Sequence, residues 1–274
     1  MSDVRTDPAP ARQACSEAHG SHIWYELITP DPDAAGKFYA AVVGFVFGER
    51  MPGEQDYRMI GRGDGGFAGG VMGLNDEMRQ HGARPTWLGY VGVDDVDATV
   101  AQVEAKSGKV LMPPFDIPQG RIAMVADPQG NPFYVMKPVP PAGQEEGRSD
   151  VFSPDAEQRV GWNELSTPDP VAARRFYGEL FGWGSDEFMD MGEYGEYRFL
   201  AHHGTTIGAV SGCVAGAPSG WRYYIRVPSI GAAAEAVKAG GGSVAMGPHE
   251  VPGGDHIIIG HDPQGAEFAL VGKQ

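Results

Sequence analysis

The chain has 274 residues, a net charge of −15, 41 glycines, 22 prolines and only 2 cysteines. That acidic balance excludes the basic footprint that nucleic acid or an anionic membrane face requires. Two cysteines exclude a disulfide framework and fit a reducing, cytoplasmic setting; no apolar run approaches a membrane span, and the N-terminus lacks the apolar core of a signal peptide.

Residues 1–19, rich in Asp, Pro, Ala and Gln, read as a disordered tail. A strand is expected at 22–28. A helix follows, with Asp31 as N-cap, Pro32 at its first position, Phe38 and Val42 with Ala34, Ala35 and Ala41 as its buried stripe, and Gly44 as a left-handed stop. Three short strands are expected at 45–51, 57–62 and 67–74. The pattern then restarts: a strand at 87–93, a helix capped by Asp95 with Val96, Val100 and Val103 at helical spacing, and strands at 109–116, 121–126 and 132–137. Asp127-Pro128-Gln129-Gly130 reads as the last hairpin turn. Residues 139–157 read as a linker.

From 158 the chain repeats itself. Trp24, Glu26, Thr29, Asp31, Phe38 and Tyr39 return as Trp162, Glu164, Thr167, Asp169, Phe176 and Tyr177. Tyr57-Arg58 matches Tyr197-Arg198, Trp87 and Tyr90 match Trp221 and Tyr224, and the Asp-Pro-Gln-Gly turn recurs at Asp262. The offset drifts only between 134 and 140 residues, which is a duplicated domain and not a solenoid repeat. The expected organisation is a tail (1–19), one domain at 20–138, a linker at 139–157 and a second domain at 158–274.

Each domain is βαβββ followed by βαβββ. This order, with the Asp31/Phe38/Tyr39/Gly44 and Asp169/Phe176/Tyr177/Gly182 runs, the Val93–Asp97 segment and both Asp-Pro-Gln-Gly turns, resembles the vicinal oxygen chelate superfamily, also called the glyoxalase/bleomycin resistance/extradiol dioxygenase fold, in its tandem two-domain form. The resemblance implies an α+β fold in which two βαβββ modules curl into an eight-stranded cup with helices on the convex face. Alternation along the first strand then turns Tyr25 and Leu27 to the helices and Trp24, Glu26 and Ile28 into the cup.

In the enzymes of that family a divalent metal sits on His and Glu residues inside the cup. The positions that the resemblance assigns to those ligands hold Trp24 and Tyr134 and fall at or beside Leu88 in the first domain, and hold Trp162 and Ala269 and fall at or beside Arg222 in the second, so no metal and no cofactor is expected. His22 shares a strand face with Glu26 but lies too far along it to join one ion. The histidines 202, 203, 249, 256 and 261 read as scattered surface residues, with a metal site confined to the second domain as the weaker alternative.

Glu26 and Glu164 are the candidate catalytic residues, because a carboxylate amid apolar strand neighbours is costly unless paired or used. They are read as a general base of raised pKa, as an anchor for a cationic or hydrogen-bonding ligand, or as partners of Arg58 and Arg198 in buried ion pairs. The expected ligand-binding set is Trp24, Glu26, Arg58, Tyr90 and Tyr134, with Trp162, Glu164, Arg198 and Tyr224. The wider aromatic set, which adds Trp87, Phe133, Trp221 and Phe268, is divided between cup lining and core.

Three functions follow. The first is a metal-independent protein that binds a small apolar or aromatic metabolite or drug. The second is a lyase, isomerase, hydroxylase or dioxygenase-like enzyme using Glu26 or Glu164, with or without a divalent metal. The third is an interaction protein whose cups are filled by their own side chains. A four-module chain is sufficient as a monomer, and the oligomeric state is left open.

Overall fold

A computed structural model describes residues 16, 18–139, 149–213 and 219–274. Of the expected tail only residues 16, 18 and 19 are among them, and of the expected linker residues 140–148 lie outside them. The first half runs β1 (His22–Thr29), α1 (Pro32–Val42), β2 (Val46–Phe47), β3 (Tyr57–Gly61), β4 (Phe67–Gly73), α2 (Asp76–Gln80), β5 (Thr86–Gly92), α3 (Val96–Ala105), β6 (Lys109–Ile117), β7 (Gly120–Ala126) and β8 (Pro132–Pro138). The second runs β9 (Val160–Thr167), α4 (Pro170–Phe181), β10 (Phe188–Asp190), β11 (Glu196–His202), β12 (Thr205–Gly212), β13 (Gly220–Ser229), α5 (Ile230–Ala239), β14 (Ser243–Glu250), β15 (His256–His261) and β16 (Glu267–Lys273).

Local chemistry sets the helix ends. The Asp31 and Asp169 carboxylates each accept from a backbone N–H three residues on, at 2.9 Å, with proline at the first helical position. Gly44 and Gly182 leave α1 and α4 with φ of +83° and +72°, a conformation that glycine adopts without strain. The short α2, capped by Asn75, was not anticipated. On α1 the buried stripe is Ala35, Phe38, Tyr39 and Val42; Ala41 is exposed, and Tyr39 takes the inward place expected for it.

The strands form two mixed eight-stranded sheets, ordered β2-β3-β4-β1-β5-β8-β7-β6 and β10-β11-β12-β9-β13-β16-β15-β14. Among the described residues all strand pairing stays within one half, so each cup closes from two modules adjacent in sequence. Packing on the other face crosses between halves. Phe38, Tyr39 and Val42 of α1 share one apolar core with Ile230, Ala233, Val237, Phe268 and Leu270 of the second half. Val96, Val100 and Val103 of α3 share another with Phe176, Tyr177 and Phe181 of α4.

Two matching hydrogen-bond chains stitch these cores. Trp87 Nε1 donates to Tyr39 Oη (3.0 Å), and Tyr39 donates to the Asp262 carboxylate of the opposite half (3.2 Å). Trp221 Nε1 donates to Tyr177 Oη (3.0 Å), and Tyr177 donates to Asp127 (3.1 Å). The repeated Phe-Tyr and Asp-Pro-Gln-Gly motifs therefore meet across the halves. Trp87, Phe133, Trp221 and Phe268 belong to these shared cores and not to the cups.

Candidate functional site

The floor of the first cup is the inward face of β1 and its neighbours. Antiparallel pairing sets Glu26 opposite Leu88 and Trp24 opposite Tyr90, while parallel pairing on the other side sets Glu26 beside Gly70. Tyr90 in turn lies beside Tyr134 of β8, and their rings stack with centroids 4.2 Å apart. Trp24, Glu26 and Tyr90, with Tyr57, Met59, Met72, Phe115, Ile122 and Met136, line an open cleft of about 1670 Å³. The cleft continues past Phe152 and Arg159 to His202 and Thr205 of the second half.

Glu26 is 1% exposed. Its Oε2 accepts from the Tyr90 hydroxyl at 3.0 Å, and its buried Oε1 has no hydrogen-bond partner among the described residues. Burial disfavours the carboxylate and pushes its pKa from 4.5 to about 7, and the Tyr90 hydrogen bond offsets only part of that. The cup of the first half therefore holds a carboxyl group poised to gain or lose a proton near neutrality.

The second cup answers its glutamate differently. Glu164 faces Arg222 across the ladder. Its Oε1 accepts from Arg222 (2.9 Å) and from Tyr224 (3.2 Å), and its Oε2 accepts from Tyr197 (2.8 Å). Arg222 also donates to Glu267 at 2.9 Å. Both carboxylate oxygens are thus occupied.

The ion pairs expected from Arg58 and Arg198 do not form. Arg58 bonds Asp56 at 2.9 Å and Asp33 at 2.6 Å, outside the cup. Arg198 bonds Glu196 at 2.6 Å and covers the Phe188 ring. The reason is strand alternation: Tyr57 and Tyr197 take the inward face, where each accepts a hydrogen bond from its tryptophan, Trp24 Nε1 to Tyr57 at 3.0 Å and Trp162 Nε1 to Tyr197 at 2.7 Å. These tyrosines stand beside the arginines in the repeated Tyr-Arg pair, and the sequence carries no mark of which of the two turns inward. His22 also leaves its expected face. A bulge between His22 and Trp24 turns it onto Trp183, with ring centroids 5.0 Å apart, where burial lowers its pKa to about 3.

A model of the Glyoxalase/Bleomycin resistance protein/Dioxygenase superfamily matches residues 22–135 and again 159–270. The chain belongs to that superfamily. It is 30% identical over 258 residues to the "Putative glyoxylase CFP32" of Mycobacterium tuberculosis (strain CDC 1551 / Oshkosh), covering 92% of this chain and 94% of that one. It is also 30% identical over 134 residues to the anthracycline biosynthesis protein DnrV of Streptomyces peucetius, covering 43% and 47% of the two chains. Among solved structures of the superfamily, the Mn(II)-bound glyoxalase from Novosphingobium aromaticivorans superposes with a TM-score of 0.61 at 19% identity, over 93% of this chain and 83% of that one. Homoprotocatechuate 2,3-dioxygenase from Brevibacterium fuscum, in complex with 3,4-dihydroxyphenylacetate, gives 0.59 at 17%, over 97% and 84%. These two show the fold.

The first cup does not fit the divalent cation that its superfamily implies. The positions that the family resemblance assigns to metal ligands carry an indole, an isobutyl group and a phenol (Trp24, Leu88, Tyr134), none of them a group that replaces imidazole or carboxylate. The cup's carboxyl group, Glu26, is held near its neutral form. Among the described residues no three His, Cys, Asp or Glu side chains converge on one point.

Proposed function

We propose that the first cup binds a small, planar, largely apolar molecule, and that it does so without a metal. The observation that supports this most directly is the pairing of an open, methionine- and aromatic-lined cleft with a buried glutamic acid whose Oε1 is unanswered. Apolar pockets with a few convergent polar groups are the usual form of small-molecule sites. Flat ligands suit the Trp24, Tyr57 and Tyr90 rings, whose faces favour offset stacking. The relationship to an anthracycline biosynthesis protein supports an aromatic ligand. The binding residues are Trp24, Glu26 and Tyr90, with Tyr134 fixing Tyr90 by stacking; Arg58 and the second cup's Arg198 take no part.

A second reading is catalysis by proton transfer, favoured by the Glu26 pKa of about 7, the range in which a carboxyl group serves as acid or base at neutral pH. Binding is tested by titrating the chain with a panel of planar aromatic compounds and following intrinsic tryptophan fluorescence and thermal midpoint. Saturable binding lost in Trp24→Ala and kept in Trp162→Ala is expected; equal loss in both would sink the assignment to the first cup. Turnover of a bound compound that disappears in Glu26→Gln with affinity unchanged would select the catalytic reading.

A further inference from the structure

The first cup holds two hydrogen-bonding groups whose counterparts in the second cup are already committed. Tyr57 accepts from Trp24 Nε1 at 3.0 Å, and among the described residues its own hydroxyl proton has no acceptor. Glu26 Oε1 is buried and unpartnered, because Oε2 takes the Tyr90 proton. In the second cup the Tyr197 hydroxyl donates to Glu164 Oε2, and Glu164 Oε1 accepts from Arg222 and Tyr224.

One backbone position accounts for the tyrosine difference. Gly70 lies beside Glu26 in the ladder, where the second cup has Ala209 beside Glu164. A Cβ at Gly70 would run into the Tyr57 hydroxyl and ring edge, and come within 3.2 Å of Trp24 Nε1. The missing methyl is thus the space in which the Tyr57 hydroxyl rests, against the strand and in line with the cleft that it and Glu26 both border.

Resting on the reading of the first cup as the ligand site, we infer that Tyr57 Oη and Glu26 Oε1 form a donor pair that holds a carbonyl-type oxygen of the planar ligand. With Oε2 occupied by Tyr90, the acid proton belongs on Oε1, which lies buried at the floor of the cleft that Glu26 and Tyr57 both line. The titratable groups set around Glu26 are phenols, Tyr57 from β3, Tyr90 from β5 and Tyr134 from β8, while the adjacent strands β4 and β5 place Gly70 and Leu88 beside it. No cation is among them to draw the proton off. A phenol beside an acid kept neutral by apolar surroundings is a known physical solution for holding an oxygen that carries partial negative charge. An ammonium ligand would meet two positive hydrogen ends.

The probe pair is 9-fluorenone and fluorene, nearly equal in shape and different in one carbonyl oxygen. Titration of the full chain at pH 6, read by tryptophan quenching and calorimetry, should give fluorenone about a tenfold advantage, the equivalent of 1.4 kcal/mol. Tyr57→Phe, which removes one hydroxyl and leaves the ring, should bring the two affinities to within about threefold, and Gly70→Ala should do the same by displacing Tyr57. Isotope-edited infrared spectra should show the bound carbonyl stretch lowered in the wild type and partly restored in Tyr57→Phe. Equal binding of the two probes would overturn the oxygen-holding pair and leave the cup as a ligand site. Binding of neither would remove the planar-ligand reading itself.

Discussion

At the centre of one sheet Glu26 faces Leu88; at the centre of the other Glu164 faces Arg222. The surrounding residues match nearly one for one, with a tryptophan two residues before each glutamate, a tyrosine on the adjoining strand and a second tyrosine across the ladder. The leucine-for-arginine difference across the ladder, together with Gly70 in place of Ala209, separates a buried acid that titrates near neutrality from an ion pair that is closed on itself. In the second cup the charge is answered by Arg222 and the lone pairs by two phenols. In the first cup the same side chain is left with an unanswered oxygen beside an open cleft. The duplicated scaffold is kept, and the residues across and beside each glutamate decide whether its oxygens are answered.

The largest effect is expected from transplanting the neighbour across the ladder. Leu88→Arg places a guanidinium across from Glu26, so its pKa should fall into the ordinary carboxylate range and planar-ligand affinity should drop about a hundredfold or more; a carboxyl-carbon NMR titration and the binding assay read both. Unchanged ligand affinity in that variant would break the comparison. Next is Glu26→Gln. The folded chain keeps a proton up to about pH 7 that the unfolded chain releases near 4.5. The wild type therefore loses stability as pH rises through that window and carries the full penalty above it. The amide should stabilise the protein by about 3 kcal/mol at pH 8 and hardly at all at pH 4.5, as measured by denaturant unfolding across the range.

Arg222→Leu leaves Glu164 with phenols alone. Because both partners are partly exposed, the cost should be about 1–3 kcal/mol, and the second cup should then acquire pH-dependent stability of the first cup's kind. The smallest effects are expected from Tyr39→Phe and Tyr177→Phe, each about 1–2 kcal/mol through loss of one interhalf hydrogen-bond chain. Tyr39→Phe should cost the more of the two, since Asn131 Nδ2 still donates to the Asp127 oxygen that Tyr177 leaves, whereas the Asp262 oxygen has no second side-chain partner among the described residues.

The fold was legible because its signals are local and doubled. Capping aspartates, Pro at the first helical turn, stop glycines and the Asp-Pro-Gln-Gly turns each act within a few residues, and the repeat supplies an independent copy. The inward face of β1 followed from alternation, and with it Trp24, Glu26, Trp162 and Glu164. The partners of the glutamates were not legible in the same way. Whether Tyr57 or Arg58 turns inward depends on the register of β3, which nothing in those five residues states. The bulge that turns His22 away from the cup, and the sharing of helix-side cores between halves, are tertiary facts with no sequence period. The Leu88/Arg222 difference was visible as a change in a repeated strand; its meaning required the glutamate across from it.

The interleaved helix-side cores bear on how a chain like this one diverges. α1 and α3 of the first half pack on strands of their own half and also on α5 and α4 of the second, so the convex face of each half is constrained by the other. The face that packs is bound by its partner's shape, while the face that opens to solvent is free to drift. A duplicated fold of this kind ages unevenly: its back is held in common, and each front is inherited separately.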